Sequence, residues 1–308
     1  MSLAPIALFV YNRPWHTRQT VEALLANAEA DRTPLYVFSD APKNAALNGA
    51  VAEVRLYIRT ITGFRSVTFI ERESNYGLAR SIIDGVTRLS DEYGRVIVLE
   101  DDLVASPYFL RYMNNALDFY EHEDRVISVA GYRYPIKHKP ESSTFFLKGT
   151  NCWGWATWKR GWDLFEANGE RLLAQLRERQ LMTEFDINGA YGYTRMLKGQ
   201  VQGENDSWAV RWHASSFLKN RLTLLPYKSL VKNIGLDGSG VHCTRMIQNP
   251  FDVELCLEPV SVEQIPIEVD AQVVKSLEIY YRSARQTRNW NAVKRLGQNI
   301  KRRLFFLK

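Results

Sequence analysis

Short apolar runs alternate with helical patterns through the first 130 residues. PIALFVY is followed by HTRQTVEALLANAEA, PLYVFS by a helix expected over 45–62, SVTFI by GLARSIIDGVTRL, and RVIVL by SPYFLRYMNNALDFY, before RVISVAG closes the series. In the third helix Leu78, Ile82, Val86 and Leu89 recur at spacings of four, four and three, which places them on one face. Five strands separated by helices of this length predict βαβ units and an α/β fold with a mainly parallel, doubly wound sheet flanked by helices.

Beyond residue 130 the alternation is lost. FFLKGTNCWGWATWKRGWDLF, residues 145–165, holds four of the eight tryptophans, and GENDSWAVRWH, residues 203–213, holds two more. ERLLAQLRERQ between them reads as an exposed helix. No Gly/Ser/Pro-rich linker divides the chain. One domain is expected over 1–265, with halves 1–130 and 131–265, followed by a C-terminal extension, 266–308.

Composition narrows the class. A chain of 308 residues that is 45% hydrophobic and 12% aromatic can fill a sizeable core. Walker phosphate loop, GxGxxG, HExxH and CxxC patterns do not occur. Three cysteines, Cys152, Cys243 and Cys256, are too few and scattered for a disulfide framework, which fits a reducing cytosol. The apolar start LAPIALFVY is short, contains Pro5 and lacks a preceding basic segment, so it reads as a first strand and not as a signal peptide. No apolar run approaches the roughly 20 residues of a membrane-spanning helix.

Charge is uneven. Nine Lys or Arg and no acid lie in 281–308, so a net +6 for the chain becomes −3 for residues 1–280. A uniformly basic nucleic-acid surface is not supported. In 286–308, Trp290, Val293, Ile300, Leu304 and Leu307 form one helical stripe among basic residues. A basic amphipathic helix of this kind suits an anionic membrane surface; an oligomer contact or a nucleic-acid arm are the competing uses.

In parallel sheets ligands bind beyond the carboxyl ends of the strands. Those ends read YNRP (11–14), SDAP (39–42), ERESNYG (71–77) and EDDL (100–103). The last sets Glu100, Asp101 and Asp102 directly after an apolar strand, where mutual repulsion is unfavourable without a cation among them. Mg²⁺ or Mn²⁺ held by one or two carboxylates and a substrate diphosphate would supply it. The other reading is a helix start, with Ser106 as cap, Pro107 at the first position and the acids complementing the dipole.

VIVLEDDLVASPYFLRYM resembles the metal-binding segment of GT-A glycosyltransferases of family 2 type, and more narrowly of the N-acetylglucosaminyltransferase I family. IALFVYNRPWHTRQTVEALL, LYVFSDAP, NYGLARSIIDGV, RVISVAGY, the tryptophan segment and ENDSWAVRW are similar to that family's segments in the same order, over roughly 4–245. The resemblance implies a GT-A (Rossmann-like) fold and a metal-dependent inverting transferase that moves a sugar from a UDP-sugar to a hydroxyl of a glycan or lipid-linked glycan, in surface polysaccharide assembly. The 1–130 half would bind the nucleotide-sugar, and 131–265 the acceptor and catalytic groups. Asp102 would ligate Mn²⁺ or Mg²⁺, Glu100 and Asp101 would face the ribose, and Asp40 would accept from uracil. Tyr11, Asn12, Arg13, Asn75 and Arg80 would line the nucleotide and diphosphate, where the planar fork of arginine suits phosphate.

An inverting transfer also needs a carboxylate that takes the acceptor proton. GENDSWAVRW offers Glu204 and Asp206, and the resemblance favours Asp206, which could equally cap the helix that follows. Trp153 and Trp155 are expected at an acceptor wall, since aromatic faces stack on sugar rings, although core packing is the commoner fate of tryptophan. His242, on the glycine-rich stretch GLDGSGVHCT, would complete the metal or diphosphate site, on a loop able to close over the donor. A cytoplasmic enzyme peripheral to the inner face of the cytoplasmic membrane through 286–308 follows. The alternatives are a nucleotidyltransferase, whose Lys-rich phosphate loop is lacking in FVYNRPWHTR, and a non-catalytic sugar- or membrane-binding protein of the same fold.

Overall fold

The computed structural model describes residues 3–238 and 249–284. His242, Cys243 and the segment 286–308 lie outside the described residues. The first half runs β1 (Ile6–Val10), α1 (Pro14–Leu25), β2 (Pro34–Ser39), α2 (Asn48–Ile58), β3 (Ser66–Glu71), α3 (Leu78–Tyr93), β4 (Arg95–Glu100), β5 (Leu103–Ala105), α4 (Phe109–Phe119) and β6 (Val126–Ala130). The second half continues with β7 (Thr144–Lys148), β8 (Trp155–Trp158), α5 (Lys159–Trp162), α6 (Gly169–Glu178), α7 (Met182–Phe185), α8 (Tyr193–Val201), α9 (Trp208–Leu218), β9 (Leu222–Pro226) and β10 (Val231–Asn233).

Eight strands form one sheet in the order β3-β2-β1-β4-β8-β6-β9-β7. The block β3-β2-β1-β4 is parallel, as the βαβ pattern predicts. β8 enters antiparallel to both β4 and β6, and β7 is antiparallel to β9, so the second half is mixed. Both faces are covered. Period-2 alternation sends Ile6, Leu8 and Val10 to one core with Val54, Phe109 and Leu117, and Ala7 and Phe9 to the other with Ile82, Val86 and Leu89.

Three expectations change in detail. Leu78 opens α3 with 44% of its surface exposed, and Ala79 takes its place on the buried face. The exposed helix of 169–178 is only half exposed, because Leu172 and Leu176 pack against α8 and α9. Residues 271–284 are helical, and Val273, Leu277 and Tyr281 pack with Phe145 and Leu225 at the β7 edge. This stretch of the expected extension is thus joined to the sheet by apolar burial.

A candidate active site at the carboxyl edge of the sheet

β1 has β2 on one side and β4 on the other, so the chain departs in opposite directions from the ends of β1 and β4 and leaves a crevice there. Arg13 follows β1, and Asp101 and Asp102 follow β4. Pro14 occupies the first turn of α1, with Arg13 as the capping residue in non-helical backbone. From there the Arg13 Nη2 donates to Asp101 Oδ1 at 2.5 Å and to Asp102 Oδ2 at 2.8 Å. Thr20, two turns further along α1, donates its hydroxyl to the Asp101 carbonyl at 2.8 Å. The positive charge that the three carboxylates call for is present in the chain itself.

Compensation is incomplete. Burial and the neighbouring Asp102 and Asp101 raise the Glu100 carboxyl well above the ordinary range, against the opposing pull of Arg13. Burial raises Asp101 as well, with Arg13 again opposing. The second guanidinium nitrogen of Arg13, Nη1, is buried and has no hydrogen-bond partner among the described residues. A buried donor without an acceptor is costly, and an anionic oxygen would satisfy it.

The far wall of the crevice comes from the second half of the chain. β5, which the sequence reading did not contain, pairs antiparallel with β10 directly after the carboxylates. That pairing brings Ile234 N–H onto the Asp102 carbonyl at 2.9 Å and lays Gly235 against the Asp102 carboxylate. A Cβ on Gly235 would collide with Asp102 Oδ2 and crowd Arg13 Nη1, so only glycine fits. Among the described residues no group of three or more His, Cys, Asp or Glu side chains is arranged as a metal cage. The donor set of Asp102 and Glu100 nevertheless fits a hard divalent cation that takes one or two carboxylates and completes its shell with water and substrate phosphate. The unpartnered Nη1 of Arg13 points to the same kind of anionic ligand.

Asp40, expected at the uracil, has another task in this conformation. Its two oxygens accept four hydrogen bonds, from Ala41 N (2.9 Å), Tyr76 N (2.8 Å), Gly77 N (2.8 Å) and Asn75 Nδ2 (3.1 Å). A carboxylate offers about four acceptor positions, so none remains for a base. Asp40 and Asn75 therefore meet, but as a clamp that ties the loop before α3 to the end of β2. Gly77, at φ +72°, makes the turn that aims its N–H at Asp40. Tyr11 accepts from Lys43 N at 2.9 Å and fixes the loop after β2. Asn12 is half-buried beside Arg13.

Arg80 and Asp206 share a cleft along α3, about 540 Å³, with Asp84, Arg88 and Arg211. The Arg80 guanidinium lies 3.8 Å from the centre of the Tyr76 ring. Asp206 is not the cap of α9. Ser207 is, accepting from Val210 N at 3.2 Å, while Asp206 is exposed and pairs with the buried Arg211 at 3.0 Å. Glu204 is exposed next to it. Among the described residues no hydrogen bond or ion pair joins Asp206 or Glu204 to residues 100–102. Ser106 likewise caps a turn and not α4 itself: its Oγ accepts from Tyr108 N at 3.2 Å and donates to the Cys256 carbonyl.

Trp155 corrects the sequence reading. It is fully buried, stacked on Trp208 at 5.6 Å and packed against Trp162 and Trp212, because β8 runs inside the sheet and its side chain faces the α3/α9 core. It has no face for a sugar. Trp153 stays half-buried, 4.6 Å from the Tyr132 ring and 5.7 Å from Phe251. Thr20 escaped the sequence reading, since it sits in no strand-end motif, and Gly235 entered it only as the first residue of GLDGSGVHCT, with no contact to Asp102 expected.

No family model matches the chain, and no curated protein matches it in sequence. Among solved structures it is similar to TarS from S. aureus, at 12% identity over 76% of this chain and 37% of that chain, TM-score 0.40. A 1–349 form of S. aureus TarS aligns at 10% identity over 74% and 59% of the two chains, TM-score 0.39. The mannosyltransferase PcManGT from Pyrobaculum calidifontis, solved in complex with GDP-Man and Mn²⁺, aligns at 13% identity over 70% of each, TM-score 0.35. The chain thus spans less than two thirds of either TarS chain.

Proposed function

We propose that the chain is a metal-dependent inverting glycosyltransferase of GT-A type, related to the N-acetylglucosaminyltransferase I family, that moves a sugar from a UDP-sugar to a hydroxyl of a glycan or lipid-linked glycan. One observation carries the reading: at the crevice between β1 and β4 the Arg13 guanidinium spans Asp101 and Asp102 and keeps one buried nitrogen without a hydrogen-bond partner among the described residues. A nucleoside diphosphate would complete this arrangement, with its oxygens meeting Arg13. Asp102, with Glu100 beside it, would hold Mn²⁺ or Mg²⁺, which when bound offsets charge on the departing diphosphate.

The residues then divide the work. Arg13 and Arg80 bind the diphosphate. The clamp of Asp40 and Asn75 holds the loop before α3 in place, a positioning role in contrast to a contact with the base. Asp206 takes the proton of the acceptor hydroxyl as that oxygen attacks the anomeric carbon and the diphosphate leaves from the opposite face. Its pairing with Arg211 supports this, since the carboxylate is oriented yet exposed. Glu204 is the reserve base. Among the described residues no helix is long and apolar enough to cross a membrane. A cytoplasmic place at the inner membrane face, with 286–308 on anionic lipid and a role in surface polysaccharide assembly, completes the proposal.

Calorimetric titration with UDP, GDP, CDP and dTDP, with and without Mn²⁺, tests it on the wild type and on Asp102→Ala. Mn²⁺-dependent UDP binding that the variant loses is expected. Equal UDP binding without metal and in the variant overturns the metal assignment, and absence of nucleotide binding overturns the transferase.

A further inference from the structure

A second cavity, about 330 Å³, lies between β7, α7, α9 and the helix 271–284, and shares no lining residue with the crevice. Its size is at the low end of the roughly 300–1,000 Å³ of small-molecule sites, which admits one ring-sized ligand. Its walls are aromatic. Tyr193 stacks on His213 at 4.3 Å, and Tyr134 and Tyr281 meet edge to face at 5.6 Å. Gly149, at φ +86°, lets the imidazole lie flat on the backbone, where any Cβ would strike it. Burial holds His213 neutral, lowering it to about 4, and its Nδ1 meets the Thr150 backbone at 3.0 Å.

Polar groups stand at defined places around this aromatic wall. Lys148 pairs with Glu184 at 2.8 Å and cancels its charge at the rim. Asn151 is buried and Asn188 exposed, both on the lining. Ile187 and Asn188 hold left-handed backbone, φ 50° and 53°. Consecutive non-glycine residues in that region, one of them β-branched, are strained, and such strain collects at ligand sites.

The lining selects a ligand class. A phosphate would find only Lys148, already paired. A lipid tail would strip water from the Lys148–Glu184 pair at the rim without replacing it. A neutral ring with one apolar face and several hydroxyls suits the aromatic wall and the hydrogen-bonding positions left on Asn188, whose Nδ2 also donates to Glu278 at 3.1 Å, and on Asn151, whose Oδ1 also accepts from Trp153 N at 3.0 Å. One short stretch links the cavity to the crevice: Asn151 lines the cavity, and Gly154, three residues on, packs against Val231 of β10, the strand that leads to Gly235 and Asp102.

We infer that this cavity binds a neutral pyranose, the acceptor's glycosyl unit, between the Tyr193 wall and the Asn151 and Asn188 amides. The role as acceptor subsite rests on the transferase reading above. Thr150→Phe fills the cavity from its half-buried rim, and Tyr193→Ala removes the aromatic wall. Saturation-transfer NMR with methyl glucopyranoside, N-acetylglucosamine and rhamnose reads the site, and UDP calorimetry with thermal melting reads the crevice and the fold. The expected result is binding of at least one pyranoside by the wild type, weakened at least tenfold in both folded variants, with UDP affinity unchanged within twofold. Failure of all three sugars to bind at tens of millimolar, or binding unchanged in either folded variant, overturns the cavity assignment and leaves the nucleotide reading standing. Cavity-dependent pyranoside binding by a wild type that takes no nucleotide supports the pyranose site and overturns the transferase.

Discussion

Arg13 lies 2.8 Å from the Asp102 carboxylate and shares the same nitrogen with Asp101. This link between the ends of β1 and β4 sets the electrostatics of the crevice. Removing the guanidinium leaves buried carboxylates uncompensated, at a cost of about 3 kcal/mol. Arg13→Gln should therefore melt well below the wild type in EDTA. Millimolar Mn²⁺ should raise the Tm of the variant more than that of the wild type, since a cation then replaces the lost charge. An unchanged Tm of the variant on adding Mn²⁺ would show that the carboxylates take no cation.

Asp40→Asn trades two acceptor oxygens for one oxygen and an NH₂ that faces backbone N–H groups. At roughly 1–3 kcal/mol for each buried group left without a partner, it should lose about 2 kcal/mol by urea unfolding. If Asp40 clamps the loop and does not read the base, the variant weakens UDP and CDP binding alike. A changed ratio of UDP to CDP affinity would restore the uracil contact.

Asp206 and Ser207 separate chemistry from capping. Ser207→Ala should cost about 1 kcal/mol of stability and retain transfer. Asp206→Asn should keep stability and UDP binding while turnover drops at least about 100-fold, the usual worth of a general base. Turnover at the wild-type rate in Asp206→Asn would move the base to Glu204 or elsewhere.

His213 makes stability depend on acid. In the folded chain it titrates at about 4, against an ordinary 6.5, so the unfolded chain takes the proton first as pH falls. The contribution is complete above pH 6.5 and is lost as pH drops toward 4, the loss amounting to roughly 3 kcal/mol below that. His213→Gln removes this dependence, so the difference between wild-type and variant stability should change between pH 7 and 4. Parallel urea midpoints across that range would refute the buried neutral imidazole.

The parallel half of the fold was legible from alternation alone, because a strand buried on both faces must be apolar throughout and a flanking helix must show one apolar face. Ile6–Val10 and Ile82 with Val86 are instances. The mixed half was not. β8 reads WATW, and only its pairing with β4 and β6 turns Trp155 inward.

By itself the sequence determined which residues stand at the strand ends: YNRP, SDAP and EDDL reach one edge because parallel strands share a direction. Tertiary structure alone decided what they do there. Hydrogen bonds across long sequence separations gave Asp40 to the loop 75–77, Arg13 to Asp101 and Asp102, and the β5–β10 pairing gave Gly235 to the same carboxylate. Local pattern carries the burial of a residue, whereas the partner of a polar group depends on segments that meet only when the sheet closes.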